Sequence, residues 1–136
     1  MNTKQIGELS EAIIIAELLR NGYIVSKPIG DNQRYDLIIE ENDELLKCQC
    51  KTGRLKNGTI EFRTANVNWG KDGYKAIGYK ETCDLFLVYC PETNRVYKIK
   101  TDECPNYNGR LRIDNTKSNR TIDIKWAKDY ELHALV

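Results

Sequence analysis

Apolar residues near the start of the chain recur at the spacing of an amphipathic helix. They form two series, Ile6, Leu9, Ile13, Ala16 and Ala12, Ile15, Leu19. Asn2 is a suitable N-cap, and Gln5 follows three residues later as in a capping box. Gly22 supplies a stop signal, because glycine readily adopts the left-handed conformation found beyond a helix end. The pattern predicts a helix over residues 3–21.

After this helix, runs rich in β-branched and aromatic residues alternate with polar segments typical of turns. These runs predict strands at 23–25, 35–40, 45–51, 59–63, 84–90 and 95–100, with later strands at 111–113 and 121–125. Polar turns at 41–44 and 91–94 predict two hairpins. Residues 28–33 and 66–79 are expected to form loops, and residues 126–132 a short closing helix.

Two of these strands bring candidate chemistry together. Side chains alternate between the faces of a strand, so Gln49 and Lys51 share one face with Lys47. The intervening Leu46, Cys48 and Cys50 then point toward a core. If the two strands are neighbours, Asp36 reaches the face that carries Gln49 and Lys51. A carboxylate, an amide oxygen and an ammonium can hold a divalent metal and a phosphate together.

Each member of this set also has an ordinary structural explanation. A strand-end aspartate often bonds the local backbone, a glutamine suits a half-exposed strand, and a strand-end lysine is common on surfaces. The spacing of all three residues on adjacent strands favours the functional interpretation.

Composition narrows the class of protein. A chain of 136 residues predicts one domain, and no apolar run is long enough to span a membrane. Polar residues directly after Met1 do not resemble a secretory leader, so a cytoplasmic location is expected. Five cysteines without a CxxC pair indicate buried reduced thiols. The single histidine, His133, cannot form a histidine metal box.

The net charge of +1 conceals an uneven distribution. Residues 51–80 carry seven Lys/Arg against two Asp/Glu, whereas residues 1–50 carry five against nine. The basic stretch begins at Lys51, and a cation-rich segment beside a carboxylate site suits a polyanionic substrate. The plainer interpretation is a solvated lysine-rich loop.

Several segments in order resemble the PD-(D/E)xK nucleases. They are residues 2–8 and 21–23, residues 27–31 with Tyr35 and Asp36, residues 49–53, and residues 84–93. The chain is most similar to the small branch of group I intron-encoded homing endonucleases, in which Gln replaces the usual acidic residue of the motif. The resemblance covers most of residues 1–100 and is looser beyond. It implies an α/β fold with a restriction-endonuclease-like core, a mixed central sheet flanked by helices, in one domain over residues 1–136.

The resemblance also implies the site residues. Glu8, Asp36, Gln49 and Lys51 would be catalytic, with Mg²⁺ as cofactor and Mn²⁺ as a possible substitute. Glu8, Asp36, Gln49 and the backbone of Cys50 would hold the metal. Because Gln49 brings no negative charge, a carboxylate from the first helix becomes more necessary. Glu8 is the first choice for it, and Glu11, one turn further along the helix, is the second.

Double-stranded DNA is the expected partner. The cations Arg54, Lys56, Arg63, Lys71 and Lys75 would mostly contact phosphates. The loop before Asp36 offers Lys27, Asn32, Gln33 and Arg34, and the last three have donors for reading base edges. A small chain cannot cover a long site alone, so a homodimer or a homotetramer is expected.

Three functions remain open at this point. The leading one is a metal-dependent, site-specific DNA endonuclease, a homing enzyme encoded by a mobile intron. A Holliday-junction resolvase would use the same chemistry on a different substrate. A non-catalytic DNA-binding module that kept the fold is the third, because Gln49 removes a ligand charge from the motif.

Overall fold

In the computed structural model, residues 1–30, 33–70, 73–78, 82–114 and 124–135 are described, with the backbone alone at 66–70 and 73–78. Helix α1 spans Thr3–Arg20. The strands are β1 (Ile24–Ser26), β2 (Leu37–Glu41), β3 (Glu44–Thr52), β4 (Arg54–Lys56), β5 (Thr59–Arg63), β6 (Ala65–Gly70), β7 (Gly73–Gly78), β8 (Leu85–Cys90), β9 (Arg95–Lys100) and β10 (Asn108–Arg112). Two 3-10 turns cover Thr101–Glu103 and Ala127–Asp129.

The predicted capping box begins α1. The Asn2 side chain accepts a hydrogen bond from the Gln5 backbone N–H, and the Gln5 side chain accepts one from the Asn2 N–H, both at 2.9 Å. The helix ends one residue earlier than predicted, and Gly22 follows with a φ of +87°. The buried positions of the helix are Ser10, Ile14 and Leu18, four residues apart, so this stripe faces the sheet.

Five strands form the central sheet in the order β1-β2-β3-β8-β9. Strands β3 and β8 are parallel and the other pairs are antiparallel, so the sheet is mixed as predicted. Asn42 and Asp43 close the β2–β3 hairpin with φ values of 52° and 64°. A two-residue turn of this kind matches strand twist and fixes the register, here with Leu37 opposite Cys48.

The two faces of the sheet have different covers. Helix α1 packs on one face, over a core that includes Leu37, Ile39, Cys48 and Leu87. A three-stranded antiparallel sheet, ordered β10-β5-β4, covers part of the other face. Its core residues pack with Phe86 and Val88, and the Phe62 and Phe86 rings meet edge to face at 5.9 Å. Helices were expected on the flanks, but α1 is the single α-helix among the described residues.

Other elements also differ from the sequence prediction. Strands β6 (Ala65–Gly70) and β7 (Gly73–Gly78) pair antiparallel in a segment that was largely predicted as a loop. The segment predicted as a closing helix contains only the 3-10 turn Ala127–Asp129. Strand β4 was not predicted, and most of the strand predicted at 121–125 lies outside the described residues.

None of the five cysteines forms a disulfide, and four of them are buried while Cys50 is half-buried, which confirms the prediction of reduced thiols inside the fold. Among the described residues, no helix has the length and the apolar character that a membrane span requires.

Candidate active site

The β2–β3 hairpin brings Asp36 to the centre of the Gln49-x-Lys51 motif. Leu37 pairs with Cys48, so Asp36, one residue earlier, comes opposite Gln49. The Asp36 backbone N–H donates to the Cys48 carbonyl at 2.8 Å. Its carboxylate Oδ2 accepts a hydrogen bond from the Cys50 N–H, also at 2.8 Å. The carboxylate is thereby tied to the residue between Gln49 and Lys51.

The strand alternation predicted for β3 is confirmed. Leu46, Cys48 and Cys50 pack toward the helix-side core. Gln49 pairs with Phe86 and Lys51 with Val88, and those two belong to the core under the second sheet. Since paired residues in a sheet project to the same side, Gln49 and Lys51 lie on the face opposite α1.

Asp36 and Lys51 form a poorly solvated pair of opposite charges. Burial raises the pKa of Asp36, and the charge of Glu11 adds to this, against the Cys50 N–H and the Lys51 and Lys27 ammoniums. Burial lowers the pKa of Lys51, assisted by Arg63, while Asp36 opposes the change. Opposed pKa shifts of two neighbouring groups are typical of functional sites, because such sites keep ionisable groups in a poorly solvated environment.

Of the two helix carboxylates predicted for the site, Glu11 is the one whose charge acts on Asp36. Glu8 is exposed on α1, and Asp36 interacts electrostatically with Glu11. Ser10 fixes the rotation of the helix, because its hydroxyl lies 2.6 Å from that of Thr52 at the end of β3. The next residue, Glu11, then lies beside the strands and binds Lys27 at 2.5 Å.

Gln49 is half-buried beside the same site. Its side-chain oxygen lies 3.9 Å from the Cys83 sulfur, which donates to the Arg34 carbonyl at 3.1 Å. Cys83 thus contacts both Gln49 and the loop before Asp36, and Gln49 brings an amide oxygen without charge to the site.

The oxygen set suits a hard cation with a partial water shell. In the described part of the chain, no three His, Cys, Asp or Glu side chains gather as a metal cage. Two carboxylates, Asp36 and Glu11, are close enough to repel, and an amide oxygen lies beside them. Mg²⁺ is commonly bound by one or two carboxylates and keeps several waters, so the residues fit this ion.

The predicted DNA-binding residues differ in exposure and in their ion-pair partners. Gln33, Arg34, Lys56 and Arg63 are exposed, and Arg63 interacts electrostatically with Lys51. Arg54 pairs with Glu92 at 3.3 Å. Lys27 is paired with Glu11. Lys75 lies in β7, where the backbone alone is described, and Asn32 and Lys71 lie outside the described residues.

The Lys27–Glu11 contact joins residues sixteen positions apart and was missed from the sequence. The same holds for Cys83 against Gln49. Neither pair has a local sequence signal, since the first depends on how the end of β1 lies against α1 and the second on how the segment before β8 lies beside β3.

Comparison with known proteins identifies the family of this chain. A family model described as PD-(D/E)XK endonuclease matches residues 1–133. The chain belongs to this endonuclease family.

Among solved structures, a bacterial homing endonuclease superposes with a TM-score of 0.77 at 21% sequence identity, covering 96% of this chain and 89% of that one. At this identity the likeness shows the fold, which is that of a restriction-endonuclease-like core. A comparison with curated proteins gives no match.

Proposed function

We propose that the protein is a Mg²⁺-dependent, site-specific endonuclease that hydrolyses phosphodiester bonds of double-stranded DNA, and that it acts as a homing enzyme. One observation carries the proposal. The Asp36 carboxylate is fixed on the Cys50 N–H, between Gln49 and Lys51 of the family motif. Family membership and the fold shared with a homing endonuclease support it.

We assign the metal to Asp36, Glu11, the Gln49 side-chain oxygen and the Cys50 carbonyl. The helix carboxylate is given to Glu11 instead of Glu8, because Glu8 is exposed and Glu11 is the one that interacts with Asp36. When bound, the metal would supply positive charge to the phosphate and to its leaving oxygen. Mn²⁺ would substitute, since it accepts the same oxygen ligands.

The Lys51 ammonium would stabilise the negative charge of the scissile phosphate. Lys51 is half-buried, so its ammonium acts in a poorly solvated environment where charge interactions are strong. Asp36 holds this ammonium near the site by charge. Lys51 would orient the attacking water or steady the charge that develops on the phosphate oxygens.

DNA would approach along the side that carries the loop before Asp36. Gln33 and Arg34 in this loop are exposed and have donors for base edges, while Arg63 adds a cation next to Lys51. Cutting both strands requires two such sites, so the active form would be a homodimer or a homotetramer.

Cleavage of a randomised linear duplex library and of a synthetic four-way junction, with Mg²⁺ and with EDTA, tests the substrate class. Metal-dependent cuts at one recurrent sequence would support a site-specific endonuclease. Cuts confined to the junction would contradict the proposal and indicate a resolvase. Gel shifts without cleavage of either DNA would also contradict it and favour a binding module.

A further inference from the structure

Lys27 makes a close ion pair with one of the carboxylates assigned to the metal. Its ammonium lies 2.5 Å from Glu11 Oε1. The two partners differ in exposure, since the side chain of Lys27 is 62% exposed and that of Glu11 only 23%. The cation therefore reaches in from solvent to a carboxylate that is largely covered by protein.

The backbone places Lys27 beside the catalytic aspartate as well. Ser26 is opposite Ile38 in the β1–β2 pair, so the next residue, Lys27, comes opposite Leu37. Asp36 directly precedes Leu37, and its charge is felt by the Lys27 ammonium. The Lys27 ammonium therefore interacts with the charges of both Glu11 and Asp36.

We propose that the Lys27 ammonium competes with the metal for Glu11. It binds the Glu11 carboxylate in the metal-free protein and moves away from it when the metal binds. The inference rests on the proposed function, because it takes Asp36 and Glu11 as metal ligands. A carboxylate pair without a counter-ion would be destabilised by mutual repulsion. The lysine relieves that repulsion, and an exposed, flexible side chain can withdraw at low cost.

The displacement would couple metal loading to DNA binding. In the metal-free protein the Lys27 ammonium is paired with the Glu11 carboxylate. After the metal binds Glu11, the ammonium becomes available to contact a DNA phosphate beside the site. Lys27 would then weaken metal binding in the DNA-free protein and contribute a phosphate contact once the metal is in place.

Mn²⁺ titration of the DNA-free protein, read by calorimetry or by electron paramagnetic resonance of the free ion, tests this inference. We expect Lys27→Met to tighten Mn²⁺ binding about three- to tenfold, because it removes both a competitor and a nearby like charge. Lys100→Met is the matched control. Lys100 is exposed on β9, at the opposite edge of the sheet, so the same loss of charge should leave the affinity unchanged.

A double-mutant cycle separates competition from a general charge effect. In a Glu11→Gln background the ion pair is gone, and Lys27→Met should then change Mn²⁺ affinity much less than in the wild type. Lys27→Gln is a second variant that keeps hydrogen-bonding capacity, and it should also tighten binding. Far-UV circular dichroism melts confirm that the compared proteins are folded.

The outcomes for this inference and for the proposed function are distinct. If the wild type binds Mn²⁺ through Asp36, shown by weaker binding in Asp36→Asn, but Lys27→Met leaves the affinity unchanged or lowers it, the role of Lys27 is contradicted and the nuclease assignment stands. If the wild type binds Mn²⁺ no better than Asp36→Asn, the metal site itself is wrong, and the role of Lys27 fails with it.

Discussion

The carboxylate of Asp36 accepts a hydrogen bond from the backbone N–H of Cys50 at 2.8 Å. This bond crosses from the residue before β2 to the C-terminal part of β3 and holds the acid at the motif. It leaves the second carboxylate oxygen to other partners. Because the donor is a backbone group of β3, the position of the acid depends on hairpin register more than on any neighbouring side chain.

Asp36→Asn is expected to stabilise the folded protein at neutral pH. The pKa of Asp36 is raised by burial above its ordinary value of 3.8, so the fold favours the protonated form. Its favourable contribution is therefore present below the unfolded-state pKa and is lost as pH rises through the folded-state pKa. At pH 7 the ionised carboxylate costs stability, and the asparagine removes that cost.

Thermal unfolding of the wild type and Asp36→Asn from pH 3 to pH 7 checks this. The melting temperature of the variant should exceed that of the wild type at pH 7, and the gap should close toward pH 3. Asp102→Asn, which removes an exposed charge, should shift stability by no more than about 0.5 kcal/mol. A variant less stable than the wild type at pH 7 would contradict the electrostatic description of the site.

Lys51→Met should lower the single-turnover cleavage rate by about 10²–10³-fold while DNA affinity changes little. The reason is that the ammonium acts on the reacting phosphate and not on the rest of the duplex. Because burial lowers the pKa of Lys51, the wild-type rate should fall at a pH below the ordinary lysine value of 10.5. Lys51→Arg should move this fall to higher pH, since guanidinium stays charged. Equal pH profiles for lysine and arginine would show that Lys51 does not set the alkaline limit.

Gln49→Glu should tighten Mn²⁺ binding by about tenfold, because it adds a charged oxygen ligand where the protein has an amide. Asn57→Asp introduces the same change at an exposed position in the turn between β4 and β5 and should leave binding unchanged. Titration calorimetry of the three proteins measures the difference. Equal affinities for Gln49→Glu and the wild type would place Gln49 outside the metal site.

Gly109→Ala should destabilise the fold by about 1–3 kcal/mol, as overpacked core substitutions do. A Cβ built on Gly109 would overlap the Phe62 ring, which packs between the two sheets. Gly7→Ala is the control, since that glycine has open space in mid-helix and alanine should gain about 1 kcal/mol. Urea unfolding gives both values, and a neutral Gly109→Ala would mean that the second sheet is not tightly packed on the first.

Local signals predicted much of this fold. The capping box at Asn2 and Gln5 involves residues three apart, so it is readable in the chain. The alternation in β3 assigned Cys48 and Cys50 to the core side. The pairing of β6 with β7 was missed, although the sequence of β6 contains a strand signal. Val67 and Trp69 alternate with asparagines there, but the glycines and lysines nearby favoured a loop.

The choice between Glu8 and Glu11 could not be made from the sequence. Both lie on α1, three residues apart, and both are compatible with a helix that faces the sheet. The choice depends on the rotation of the helix about its axis, which the Ser10–Thr52 contact fixes. That contact joins residues forty-two apart, so no local pattern encodes it.

Cleavage of the randomised duplex library by the wild type and by Asp36→Asn, at protein concentrations that saturate DNA binding in a gel shift, measures whether the reaction depends on Asp36. We expect Mg²⁺-dependent cuts by the wild type, none in EDTA, and a rate at least about 10³-fold lower for the variant despite full binding. Equal cleavage by the two proteins, or cleavage that persists in EDTA, would contradict a metal-dependent nuclease centred on Asp36.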